Sequence, residues 1–421
     1  MTDAWSAAIE RAFALLDERS LLEETYRFVS VPSPTGHEAD FAHAYATVLE
    51  KIGLQVELDD EWPDSPSVIG RWPRTGTGTG TGPVLQFDGH LDAIVVPHAP
   101  PTLDIDAGVV RGRGSADMKG GLAAIAHAVR ALIQAEVPLA GGLLVTAHGL
   151  HEAPGGDQRT IQSLLRKGVR GDAALVAELS HDDLPVTAKG MSIFRIQLAR
   201  DGGVMHEVEL DRPERNPLYG VRLLLNGLGA IASRLAAQSR SRASADYPSA
   251  GAESLFVGEV HAGDFYNRVP ISAEVVGTRR YALPGSKEQV AAELNELCAE
   301  VAEQTGLRPR VALQEVGKPY ALDPGEPLIA AVRRGFARAT GGDLPLAGAG
   351  AVGNAVDFVA QGVPAVYHGV NQATAHSDDE HVSGADLLRA ARVYAASAVE
   401  FCGLTERLTE RRAEEEPRRG A

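Results

Sequence analysis

Apolar residues recur every three or four positions through the N-terminal segment, a period that predicts helices. Trp5, Ile9, Phe13 and Leu16 mark one over 3–18, a second follows over 21–29 and is ended by Pro32 and Pro34, and Phe41, Tyr45 and Leu49 mark a third over 38–52. The pattern then alternates as a strand over 54–58, with further strands over 67–72 and 84–87. Between these two, 75–82 alternates Thr and Gly, buries no side chain of consequence and reads as a flexible hairpin loop. A helix over 122–136, a strand over 143–147, a helix over 159–167 and an apolar strand over 173–177 continue the alternation expected of an α/β sheet core.

After Lys189 and Gly190 the order changes to a strand over 193–198, a long helix over 218–238, strands over 254–261 and 271–278, a helix over 287–304 and a strand over 310–316. We therefore expect an α/β core with a mixed sheet, in two parts, 1–188 and 318–406, interrupted by an α+β domain over 189–317. The stretch 407–421 is charged with hardly an apolar residue and reads as a frayed tail.

The residues able to do chemistry gather at the ends of the apolar runs. His90 and Asp92 follow the strand over 84–87, His151 and Glu152 follow the strand over 143–147, and Glu178 follows the strand over 173–177. Asp117 is the only acid in the glycine-rich stretch 112–121, and His376 lies in Thr-Ala-His-Ser-Asp-Asp-Glu-His-Val. In open α/β sheets ligands gather at the carboxyl ends of strands. His90, Asp117, Glu152, Glu178 and His376 form a donor set suited to two divalent ions, zinc first and manganese or cobalt as alternatives, with Asp117 as the bridge. Asp92 is read as the acid that takes the free N–H of His90, fixing its tautomer. The plainer reading of the pair is a hydrogen-bonded turn.

Composition narrows the field. A chain of 421 residues is long for one core and suggests two domains. The 40 Lys and Arg against 56 Asp and Glu leave a formal charge of -16, which repels phosphate backbones and argues against nucleic acid as a partner. Cys298 and Cys402 are the only cysteines, so neither a disulfide framework nor a cysteine metal site is expected. No apolar run approaches the roughly 18 residues of a membrane span, and the N-terminus carries no basic and apolar leader pattern, so the cytoplasm is the default compartment.

Taken in order, these motifs resemble the M20 family of metallopeptidases and amidohydrolases, from Val29-Ser30-Val31-Pro32-Ser33-Pro34-Thr35-Gly36 through the His376 segment. That family includes aminoacylases, acetylornithine deacetylase, succinyl-diaminopimelate desuccinylase and glutamate carboxypeptidases. The resemblance implies a metallohydrolase core with an inserted ferredoxin-like lid through which many members dimerise. It implies one metal on His90, Asp117 and Glu178 and a second on Asp117, Glu152 and His376, with water activated between them. It also implies that His206 in the lid reaches a neighbouring subunit's site to stabilise the developing oxyanion. Asn267 and Arg280 are implied to grip substrate, often a carboxylate; Arg279 is an equally basic neighbour. Each of these three also has a plainer reading, a surface histidine or a sheet-edge ion pair.

Two departures from the family pattern stand out. The family has Glu-Glu where this chain has His151-Glu152, and the first of those glutamates is its general base. Around 353–355 the family shows Thr/Ser-Asp-Ala, whereas this chain has Gly353-Asn354-Ala355. An imidazole of unperturbed pKa near 6.5 suits the base's task, but His151 has two other possible roles, as a metal ligand or as a bystander that leaves the proton to bulk water.

The expectation is a cytoplasmic, homodimeric dimetal hydrolase that cleaves an amide-type C–N bond of a small, carboxylate-bearing substrate. Hydrolytic deamination of an amine on an activated ring, and a metal-binding protein without hydrolase activity, are the alternatives. Gly348, Gly350 and Gly353 satisfy the dinucleotide fingerprint G-x-G-x-x-G, but no convincing strand precedes them and no acid stands about 20 residues on, so it is read as a decoy. His37, His98, His148, His181, His261, His368 and His381 receive no role and are read as mostly surface or hydrogen-bonded residues.

Overall fold

The computed structural model describes residues 2–73, 82–238 and 252–405. The Thr-Gly repeat, all but Gly82, and the charged tail lie outside the described residues. The chain divides into two compact units. One comprises residues 1–186, 322–346 and 353–421, and the other comprises 187–321 and 347–352.

The first unit is built on a six-stranded mixed sheet. Its strands lie in the order Gln55–Asp59, Ser67–Trp72, Gly142–His148, Val84–His90, Ala173–Val176, Ala365–Tyr367. The last four are parallel to one another, and the first two attach antiparallel at one edge. Parallel strands are covered on both faces and so read as continuous apolar runs; Ala173–Val176 is buried at every position. Their parallel course brings the carboxyl ends together, with His90 paired in register with His148.

The N-terminal helices differ from the expected pair. The first ends at Phe13 and the second begins at Glu18, because Asp17 accepts a hydrogen bond from the Ser20 amide at 2.8 Å and caps a new helix. The helix Gly120–Gln134 runs with one flank of the sheet, and Gly121 is required there. A Cβ on it would stand 2.4 Å from the Ala177 carbonyl oxygen. The helix Gly384–Cys402 carries thirteen buried residues and completes the core. Both cysteines are free and buried.

In the second unit four antiparallel strands lie in the order Ser254–Ala262, Ser272–Tyr281, Gly190–Ala199, Arg308–Gly317. With the helices Pro217–Gln238 and Lys287–Thr305 this is a ferredoxin-like α+β arrangement. The strand Gly190–Ala199 alternates buried and open positions, and Phe194, Ile196 and Leu198 pack with Leu224, Leu228, Leu294 and Val301 of the helices. The strand Ser254–Ala262 has one partner strand among the described residues and presents Phe256 and Val260 to solvent.

Candidate metal centre

The donors expected from the sequence converge in the first unit. His90 is the last residue of its strand and is wholly buried. Its Nε2 lies 3.1 Å from Asp117 Oδ1 and 3.8 Å from Glu178 Oε2. On the other side of Asp117, His376 Nε2 lies 3.3 Å from Oδ2 and 3.0 Å from Glu152 Oε1. Asp117 thus touches a histidine with each carboxylate oxygen. It sits in an irregular turn, Ser115–Lys119, where its own φ of −127° and ψ of 94° leave the helical region.

The backbone is held in costly conformations around this cluster. Among the described residues five non-glycines have positive φ. Leu150 precedes His151, Leu179 follows Glu178, Gln158 bonds His151, and His376 itself has φ of 64°, leaving only Glu136 outside the site. Strain of this kind persists where surrounding structure over-determines the geometry. Gly353 is obligatory for a different reason, since a Cβ would meet Glu178 Oε1 at 2.2 Å.

Charge explains what the cluster wants. Burial raises the Glu178 carboxyl to about 8, with the Asp117 and Glu152 charges adding to it while nearby His90 opposes. His376 is raised to about 10 by its bonds to Asp117 and Glu152. Burial opposes charge on His90, but Asp117 and Asp92 outweigh it and raise it well above the ordinary value. Asp117 is held well below the usual carboxylate range by His376 and His90 despite its burial. Three carboxylates and two imidazoles in so little space bind protons as substitutes for a cation, and this donor chemistry fits divalent ions. Two overlapping groups of ligand atoms lie within 4.8 Å of one another, His90 with Asp117 and Glu152, and His90 with His151 and Glu178.

Asp92 corrects the sequence reading in part. The nearest acceptor for His90 Nδ1 is the backbone carbonyl of Asp92 at 2.9 Å, while the carboxylate Oδ1 stands back at 3.6 Å. The other carboxylate oxygen accepts the backbone N–H groups of His151 at 3.0 Å and Glu152 at 2.7 Å, together with the Thr35 hydroxyl at 3.0 Å. Burial works against its charge, but the His90 ring and the Glu152 amide hold its pKa at about 2. Asp92 therefore seats the 151–152 backbone as well as standing beside His90.

Several supporting residues escaped the sequence reading. Glu380 is fully buried and its Oε1 accepts from the amides of Ala116 at 3.2 Å and Asp117 at 3.1 Å, with Arg113 on its other oxygen at 2.8 Å. Gln372 donates to Asp117 Oδ1 at 3.0 Å and accepts from the Leu179 amide at 2.8 Å. Glu38 accepts from the Leu150 amide at 3.0 Å. His148 and His368, grouped with the unassigned histidines, are wholly buried, and His148 lies 2.9 Å from Asn354. Only the placement of Glu380 within the His376 motif hinted at any of this.

His151 is half-buried, stacks on His90 with ring centroids 4.2 Å apart and planes 3° apart, and has its pKa lowered by burial and by the His90 charge. The glycine decoy is also clarified. A short strand, Leu346–Ala349, takes in its first glycine, Gly348, but the helix that follows is only Ala355–Ala360 and Gly353 serves Glu178.

The remaining candidates belong to the second unit. His206 is half exposed, its Nε2 lies 3.1 Å from Asn267 Nδ2 and its Nδ1 lies 3.0 Å from Glu207. Asn267 lines a hollow of about 470 Å³ together with Glu207, Asn216, Phe265 and Arg268. Arg279 is buried and paired with Glu253 at 2.9 Å and Glu293 at 3.2 Å, so it is committed to structure. Arg280, next in the strand, makes one long side-chain bond among the described residues, of 3.5 Å to the Gly350 carbonyl.

A convergent set of carboxylates and imidazoles, buried except for the half-exposed His376 and gathered at one rim of the parallel sheet, marks the chain as a metal-dependent hydrolase. Residues 87–400 match the model of peptidase family M20/M25/M40, and the chain belongs to that family, as its motifs led us to expect. The succinyl-diaminopimelate desuccinylase of Methylorubrum populi is 26% identical over 397 residues, covering 90% of this chain and 97% of that protein. Among solved structures, aminopeptidase PepT from Bacillus cereus superposes with a TM-score of 0.73 at 18% identity, covering 92% of this chain and all of that one, 100%. Human carnosine dipeptidase 1 superposes with a TM-score of 0.72 at 15% identity, covering 94% of this chain and 98% of that one. No helix among the described residues is long and apolar enough to cross a membrane.

Proposed function

We propose that the protein hydrolyses an amide-type C–N bond in a small, carboxylate-bearing substrate at a centre of two divalent ions, zinc before manganese or cobalt. The observation that carries this reading is Asp117, which meets His90 through one oxygen and His376 through the other. His90, Asp117 and Glu178 would hold one ion, and Asp117, Glu152 and His376 the other. The chemistry supplied there is polarisation of the scissile carbonyl and a lowered pKa for water.

The rest falls to the chain's own groups. His151 accepts the proton of the attacking water, a role in which burial and the neighbouring His90 charge favour the neutral ring it needs. Asp92 keeps His151 and Glu152 in register through their backbone amides. His206 donates to the oxyanion, and Asn267 and Arg280 grip the substrate, whose carboxylate a guanidinium suits. The second unit is read as a lid through which two copies pair, a role that the apolar outer strand Ser254–Ala262 supports. Two free buried cysteines accord with residence in the cytoplasm.

Turnover on a panel of N-acyl amino acids, N-succinyl amino acids, dipeptides and aryl amines, with and without Zn²⁺, Mn²⁺ or Co²⁺, tests the reading. Metal-dependent release of a free amine from an amide is expected. Turnover of aryl amines alone would move the assignment to deamination, and none on any substrate with metal bound would leave a binding protein.

A further inference from the structure

Two of the positions at which this chain leaves its family's pattern, 151 and 354, are in direct contact: His151 Nδ1 lies 2.7 Å from Asn354 Oδ1. We propose that Asn354 is a positioning residue that holds His151 in the tautomer with hydrogen on Nδ1, leaving a bare lone pair on Nε2. The functional value of this rests on the reading of His151 as proton acceptor. The contact itself does not.

The direction of the Asn354 amide follows from what surrounds it. Its far end lies 3.3 Å from Asp88 Oδ2 and 2.9 Å from His148 Nε2, all within the buried interior. Asp88 accepts the Thr146 hydroxyl on its other oxygen at 2.5 Å, and Thr146 in turn accepts Gln86 Nε2 at 2.7 Å. A carboxylate oxygen only accepts, so the amide turns its NH₂ toward Asp88 and its carbonyl toward His151, an arrangement in which His148 Nε2, 2.9 Å from the NH₂, is the unprotonated ring nitrogen. A carbonyl oxygen also only accepts, and His151 Nδ1 must therefore carry the hydrogen.

One neighbour pulls the other way. Gln158 Nε2 lies 3.2 Å from the same Nδ1 and, as a donor, favours hydrogen on Nε2 instead. It is the more distant of the two and is also engaged with the His151 carbonyl at 3.2 Å. Asn354 wins by proximity and by its anchorage. His151 Nε2 makes no hydrogen bond with any described residue. One ring nitrogen of His151 lies within 4.8 Å of ligand atoms of His90 and Glu178. An amide suits position 354 better than a carboxylate here, because Asp at that place would set a second buried charge 3.3 Å from Asp88.

The test is long-range ¹⁵N–¹H correlation NMR on the full chain, metal-free and labelled at histidine nitrogens, with His151→Ala to assign the signals. Wild type is expected to show a protonated Nδ1 and an unprotonated Nε2 at position 151. Asn354→Leu, similar in volume without an acceptor, leaves Gln158 alone on Nδ1 and should switch the hydrogen to Nε2. On a confirmed substrate that variant should lose about 10²-fold in kcat with little change in KM, as expected when a base is misoriented. Asn354→Asp keeps an acceptor and should retain the Nδ1 hydrogen. A wild-type His151 carrying its hydrogen on Nε2 overturns the proposal even if no variant folds, as does an Asn354→Leu spectrum identical to wild type. Full turnover by His151→Ala with the wild-type tautomer as expected would sink the proton-acceptor reading alone.

Discussion

The two groups of candidate residues are supported in opposite ways. In the first unit His90 is wholly buried, bonded on both ring nitrogens and flanked by three acids. Around it backbone amides are tied to Asp92, Glu38 and Glu380. In the second unit His206 is half exposed and rests on Asn267 and its neighbour Glu207, and the Arg280 side chain makes a single long bond among the described residues. A donor set that must hold a cation in fixed geometry has to be built rigid by its own unit, through supports such as these. Groups that meet a substrate or another subunit leave their polar atoms available. Arg279 and Arg280 make the same point within two residues, one paired with two acids and the other with one long side-chain bond among the described residues.

If this contrast is functional, variants in the first unit should cost most. His151→Ala is expected to lose roughly 10²- to 10⁴-fold in kcat while keeping its metals, the usual range for a general base. Restored dipeptide hydrolysis by His151→Glu would mean that the wild-type residue is tuned away from peptides. His206→Ala should cost about 10²-fold in kcat, as loss of one oxyanion donor does, with unchanged metal content. Mixing it with His151→Ala should recover activity if the histidine acts across two subunits, and a fully active monomer in light scattering would refute that role. Arg280→Ala should act mainly on KM, raising it by about 10-fold or more for carboxylate substrates, while Arg279→Ala should lower the melting temperature instead.

The smallest effect concerns pH and the metal-stripped protein. Glu178 is raised to about 8 by burial and His376 to about 10 by Asp117 and Glu152, from ordinary values of 4.5 and 6.5. Both groups hold protons more tightly when folded, so their contribution is complete below those ordinary values and is lost as pH rises through about 8 for Glu178 and about 10 for His376. These two groups should therefore pull the Tm of stripped protein down between about pH 5 and about pH 10, and Glu178→Gln should remove the lower part of that contribution, read as the difference between the two Tm profiles. Metal loading should restore stability across the range.

His90, Glu152 and Glu178 were legible because each follows an apolar run, where strand ends deliver side chains to one rim, whereas Asp117 and His376 stand in a glycine-rich turn and a polar loop and were legible by motif. The supports were not. Glu380 reaches Ala116 and Asp117, and Asn354 reaches His151, across separations of some 200 residues or more that carry no local period. Asp92 was read through its carboxylate, although its carbonyl lies nearer His90, because spacing along the chain does not distinguish the two groups. The break at Phe13 was hidden by an apolar Leu16 that kept the helical period, while the capping signal of Asp17 and Ser20 went unweighed.

The central claim is a centre in which Asp117 serves both ions, and elemental analysis of the metal-loaded, desalted protein tests it most directly. Wild type should hold about two divalent ions per chain and Asp117→Ala none, because the bridging acid in such a site belongs to both ions. Wild-type protein without bound transition metal, or an Asp117→Ala variant that keeps both ions, would contradict the account.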